Sequence, residues 1–129
     1  MNNNSGGERT LEYGKTAAYI EEVEVVLDDG SVATFKALTP EEVTAKKLLQ
    51  NREGAIYQNM SRLLKENKEA IQNAKPKVSK NSAGYALWDV VDKSGNMNLA
   101  KLICGAQGTL ALTTKMKLRL VRQQEHRAM

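Results

Sequence analysis

The sequence predicts a mainly α-helical, oligomeric protein with an N-terminal β-hairpin. Three observations carry that expectation. An alternating run through Val23, Val25 and Leu27 turns at Asp29-Gly30 and resumes at Val32 and Phe35. A complete helix start at Thr39-Pro40-Glu41-Glu42 leads into an apolar stripe that continues past residue 70. Charge is also divided unevenly: residues 1–74 carry nine Lys/Arg against twelve Asp/Glu, and residues 75–129 carry ten against three. A basic half beside an acidic one favours a polyanion partner or head-to-tail self-association over a catalytic pocket.

Composition bounds the rest. The 129 residues suffice for one domain, or one domain plus an arm. At 41% hydrophobic and 26% charged, the chain lies outside the collagen, fibrous and wholly disordered classes. No apolar run approaches the roughly 18 residues of a membrane span. Met1–Gly7 lacks the charged and apolar regions of a secretory signal, so a cytoplasmic protein is expected. The single cysteine, Cys104, cannot form an internal disulfide and fits a reducing interior. With one histidine, His126, beside it, a zinc site of ordinary ligand spacing is excluded. No His–carboxylate pair, activated nucleophile or metal cluster is legible. The expectation is a binding protein without cofactor, metal or catalytic residues.

In chain order, residues 1–17 read as a flexible arm, since the first ten are polar and Gly-rich with nothing to bury. Residues 18–36 form the hairpin, because Gly30 tolerates the positive φ of a tight turn. Two short strands are marginal alone, so the hairpin must pack on a helix or join another sheet. Residues 40–74 follow as a long helix. Thr39 caps it, Pro40 suits its first turn, and Glu42 stands where a capping box needs a carboxylate. Unbroken, it would span about 50 Å at 1.5 Å per residue; Gly54 is its weak point, and two shorter helices folded on each other is the open alternative. Leu49, Ile56, Met60, Leu63 and Leu64 form its apolar stripe, and a helix of that length in so small a chain is expected to pack on another subunit.

Residues 75–84 are a polar, lysine-bearing linker, and residues 85–129 a basic C-terminal region. A second helical pattern starts near Tyr85, with Leu87, Trp88, Val91, Leu99, Leu102 and Ile103 on one side if it runs through Ser94-Gly95; that dipeptide could equally end it. Trp88 reads as a core or interface anchor. Gly105-Ala106-Gln107-Gly108 lacks the lysine and hydroxyl of a P-loop. Residues 110–122 fit two periods: Met116, Leu118 and Leu120 alternate with Lys115, Lys117 and Arg119 as in a strand, while Leu112, Met116 and Leu120 are spaced as in a helix. Either way Lys115, Lys117, Arg119 and Arg122 make a basic surface suited to phosphate contacts.

The run Leu110-Ala111-Leu112-Thr113-Thr114-Lys115-Met116-Lys117-Leu118-Arg119-Leu120 resembles the C-terminal signature of short tailed-phage terminase small subunits. Leu110, Leu112, Thr113, Lys117, Arg119 and Leu120 match in kind, whereas Ala111, Thr114 and Met116 depart from the pattern. The resemblance covers about residues 85–122. It implies a non-enzymatic DNA-packaging adaptor in the host cytoplasm, which forms rings, binds double-stranded viral DNA through Lys115, Lys117, Arg119 and Arg122, and delivers it to the large terminase subunit. Leu49, Ile56, Met60, Leu63, Leu64 and Trp88 would then line the oligomer interface. The acidic hairpin stands where that family often has a DNA-binding region. It suits instead a phage tail assembly chaperone, a class in which some members begin with a hairpin running into a Leu-Thr-Pro-Glu helix start, and which would bind tail proteins and not DNA.

Overall fold

The computed structural model describes residues 1–7, 10–78, 81 and 84–122. Ser79, Lys80, Ser82 and Ala83 of the expected linker lie outside the described residues, as do Glu125 and His126 of the C-terminal region. A single helical turn, α1 (Thr10–Tyr13), and a 3-10 turn at Thr16–Ala18 lead into the hairpin, β1 (Ile20–Val26) and β2 (Val32–Leu38). Val23 stands opposite Phe35 and Val25 opposite Ala33, and all four are buried. At the turn, Gly30 takes a φ of 80°, and the Asp29 carboxylate accepts the Ser31 N–H at 2.9 Å. Asp29 is therefore a turn residue.

The hairpin forms the centre of a four-stranded antiparallel sheet. β3 (Met97–Asn98) pairs with the free edge of β2 and β4 (Leu112–Leu118) with that of β1, in the order β3-β2-β1-β4. The expected mainly α fold is corrected by this sheet: the protein is mixed α/β. The physical reason is edge satisfaction. A lone hairpin leaves two rows of backbone N–H and C=O groups without partners, and the C-terminal segments supply them. The two-way pattern of residues 112–118 resolves to strand because Lys115 falls opposite Glu24 and Lys117 opposite Glu22. Opposite charges across a pair of strands support that register, which a helix would forgo.

The expected helix over 40–74 is also corrected. It is divided into α2 (Pro40–Lys47), α3 (Arg52–Glu66) and α4 (Lys68–Asn73). The capping box at its start is complete: Glu42 N–H donates to Thr39 Oγ1 at 3.3 Å and Thr39 N–H to Glu42 Oε2 at 2.8 Å. The first break falls at residues 48–51, just before Gly54. Asn51 starts a new helix by accepting the Gly54 N–H at 2.9 Å, and Gly54 lets that first turn lie against the Leu49 backbone, whose carbonyl carbon would be 2.8 Å from an added Cβ. Glycine here permits a close approach of the α2–α3 connection to the first turn of α3.

Behind the sheet, Val43 of α2 and Tyr57 of α3 are buried, and the Tyr57 ring meets Phe35 edge-on at 6.1 Å. Residues 85–104 do not form the second long helix that their spacing suggests. They make a 3-10 turn at Leu87–Asp89, then β3, then a single turn α5 (Ala100–Ile103) packed on β1 and β2. Asp92 interrupts the pattern by accepting the N–H groups of Ser94 (2.8 Å) and Asn96 (2.9 Å). No described helix is long and apolar enough to cross a membrane.

Candidate functional site

The basic surface expected at the C-terminus is largely neutralised within the chain. Lys115 pairs with Glu24 at 3.4 Å and Lys117 with Glu21 at 3.1 Å, both across β1. Hydrogen bonding from the Thr114 hydroxyl, followed by the influence of Lys115, holds the Glu24 carboxyl below its usual range. Arg119 donates to the Ala18 carbonyl at 3.4 Å and stacks over the Tyr19 ring at 5.6 Å. Arg122 follows the strand and is likewise no free cation. The acidic hairpin and the basic tail thus complement each other inside one molecule.

The residues expected at an oligomer interface are not one surface. Ile56, Met60 and Leu64 pack against the sheet's own core, Leu49 and Leu63 remain on the surface, and Trp88 lies half-buried beside a cavity. The stripe is spent mainly on the sheet, a partner that the helical reading did not contain.

A different constellation gathers where the chain's first residues meet its last turn. Gln107 N–H donates to the Asn2 carbonyl at 2.9 Å, and Ala17 N–H to Asn4 Oδ1 at 3.1 Å. The Cys104 thiol approaches Met1 O at 3.4 Å and Asn4 Oδ1 at 3.6 Å. Burial raises the pKa of that thiol, against a smaller opposing effect of the terminal ammonium, so it is an interior group and not an activated nucleophile. Gly105, Gln107 and Gly108 adopt φ values of 94°, 53° and 80°. At Gly105 a Cβ would meet the Asn4 side chain at 3.2 Å, so the tight turn and the docked N-terminal segment require each other.

Between this segment and β4 runs an open groove of about 560 Å³, lined by Met1, Asn2, Asn3, Ser5 and residues Thr113–Met116. Its polar groups are amides and hydroxyls, with one lysine, Lys115, already paired to Glu24. The Thr113 hydroxyl is buried without a hydrogen-bond partner among the described residues. On the core side of the sheet Met116, opposite Val23, remains partly exposed, so one wall of the groove is apolar. Among the described residues no three His, Cys, Asp or Glu side chains converge as a metal site would need. The arrangement can hold and orient a polar ligand and carries no acid–base pair.

Sequence reasoning did not find this groove. Its two walls, the polar run at Asn2–Ser5 and residues Thr113–Met116, were each visible in the sequence, but only the fold brings residues a hundred positions apart together.

Comparison with known proteins places the chain beside large oxidoreductases. It is similar over nearly its whole length to one segment of bacterial dehydrogenases of a single type. These are the D-2-hydroxyglutarate dehydrogenases: that of Pantoea ananatis is 31% identical over 121 residues, covering 92% of this chain and 12% of the relative. That of Haemophilus influenzae is 25% identical over 134 residues, covering 100% and 13%, and that of Escherichia coli 27% over 123, covering 95% and 12%. The chain therefore spans about an eighth of the length of the curated relatives it matches. No family model matches it, and no solved structure does. The resemblance to terminase small subunits is overturned by these findings, and with it both phage readings, the DNA-packaging adaptor and the tail chaperone. The dehydrogenase similarity covers nearly the whole chain where the terminase one covered residues 85–122, and most of the run that carried the latter is an edge strand.

Proposed function

We propose that this chain is a cofactor-holding segment of an FAD-linked dehydrogenase acting on a 2-hydroxy acid. The single observation that carries this reading is the groove between the N-terminal asparagine segment and β4, lined by Asn2, Asn3, Ser5 and residues Thr113–Met116. Its donor set suits a phosphate-bearing dinucleotide. Amides and hydroxyls fix orientation, and the orphaned Thr113 hydroxyl calls for a polar partner. Asn2, Asn3, Ser5, Thr113 and Thr114 would hold the group, with Met116 as apolar support. FAD supplies the acceptor for the two electrons that a hydroxy acid gives up on oxidation to the keto acid. The chain's own residues bind, orient and exclude water; among the described ones none in the groove is placed as a general base.

The test is titration of FAD with the purified chain, following flavin fluorescence. Saturable quenching is expected, together with its weakening in Thr113→Val, which removes the unpartnered hydroxyl lining the groove. Quenching that never saturates, or that is indifferent to Thr113→Val in a folded protein, would refute the reading.

A further inference from the structure

Pairing β1 with β4 moves the open edge of the sheet outward and does not close it. Among the described residues no strand follows β4 in the order β3-β2-β1-β4. Arg119 N–H donates inward, to the Tyr19 carbonyl at 2.8 Å. Backbone groups of successive strand residues point to opposite sides, so those of Met116 and Leu118 face the open edge. Thr114 ends the regular edge on the other side: it lies at the register shift between Glu24 and Val25, and its hydroxyl donates to Glu24. The run Lys115–Leu118 is therefore a short template for one more strand.

The two faces of that run define what would pair with it. On the core side Met116 and Leu118, opposite the buried Val23 and Ile20, stay 48% and 38% exposed. On the other face the Lys115 and Lys117 side chains are 78% and 70% exposed, although each already touches one carboxylate of β1. An ammonium has three donors, so each can meet a second carboxylate from the open side. Arg119 adds a cation whose partners among the described residues are a carbonyl and a ring, not a carboxylate. A second copy is the poorer occupant. Antiparallel pairing of two β4 strands about any residue from Lys115 to Leu118 sets a lysine or arginine of one copy against one of the other. The strand that β4 does accept, β1, reads Glu21-Glu22-Val23-Glu24-Val25, acidic on the lysine face and apolar on the core face.

We propose that the open edge of β4 takes an extended segment of a separate polypeptide as a fifth strand, in which acidic and apolar side chains alternate. Its carboxylates meet Lys115 and Lys117, and its apolar side chains cover Met116 and Leu118. The inference goes beyond the cofactor groove, and its readout needs no flavin.

The probe is a fluorescein-labelled peptide as long as β4 (7 residues), alternating glutamate and valine, titrated with the full chain and followed by anisotropy. Saturable binding is expected, at least about tenfold tighter than that of the same peptide with lysine in place of glutamate. A version with proline in place of two valines cannot complete the ladder and should lose binding. Lys115→Gln with Lys117→Gln should weaken binding by about tenfold, and far-UV circular dichroism checks that this variant is folded. No saturable binding of the acidic peptide, equal binding of the proline version, or binding unchanged in the folded double glutamine variant would overturn the proposal. So would a dimer of the chain alone that Met116→Lys dissolves, because the edge would then belong to a second copy.

Discussion

Gly54→Ala should destabilise this protein, although helix propensity alone argues the reverse. Replacing glycine by alanine inside a helix normally gains up to about 1 kcal/mol. Here the new methyl would stand 2.8 Å from the Leu49 carbonyl carbon and 3.0 Å from the Leu49 Cβ, closer still to the carbonyl oxygen. The obstacle is mainly backbone and cannot rotate away. Relief requires the connecting segment at Leu49 to move away from the first turn of α3, weakening the Asn51 cap and the seat of Tyr57. Forcing extra volume into packed structure costs about 3 kcal/mol at the upper end of the usual range, leaving a net loss of about 2 kcal/mol. For a domain of this size that lowers the melting midpoint by about 6–10 °C. Thermal and urea denaturation measure it directly. A midpoint equal to or above that of the parent, at unchanged urea slope, would refute the close-approach argument and make Gly54 an ordinary helical glycine.

Other outcomes follow from the same packing. Tyr57→Phe should raise stability by about 1 kcal/mol, because the buried Tyr57 hydroxyl has no partner among the described residues and its burial raises its pKa; a lower urea midpoint would show that the hydroxyl is bonded after all. The Arg52 guanidinium, bonded to Asp28 at 2.6 and 2.7 Å, holds that carboxyl below the usual 3.8. Its contribution is present above that value and lost as pH falls through the lower folded pKa. Arg52→Gln should therefore raise the Asp28 titration midpoint seen by NMR, and an unmoved midpoint would exclude the pair in solution. Removing residues 1–7 should speed modification of the Cys104 thiol by a disulfide reagent several-fold, since Met1 and Asn4 cover it; an unchanged rate would mean that the segment is not docked.

Local signals were legible where the chemistry is local. Asp29-Gly30 specified a hairpin because its turn is decided within four residues. Thr39-Pro40-Glu41-Glu42 specified a helix start because the reciprocal cap needs only those side chains. Where α2 stops was less legible, since Gly54 matters through a neighbour in space and not through its own flexibility. Leu112–Leu118 satisfied both periods, and nothing within the segment could choose between them.

By itself, then, the sequence determined the hairpin, its register-setting alternation and the capped start of α2. The tertiary structure alone decided that β1 and β2 are the centre of a sheet, because the free edges of a hairpin can be paired only by distant segments. It alone decided that the acidic hairpin and basic tail neutralise each other: Glu24 and Lys115 are 91 positions apart, and charge counts along a chain carry no information about register across strands. The docking of the N-terminal segment belongs to the same category. Asn2 and Gln107 meet through one backbone hydrogen bond, which depends on α5 lying behind β1 and on a left-handed turn that brings the chain back beneath its own N-terminus.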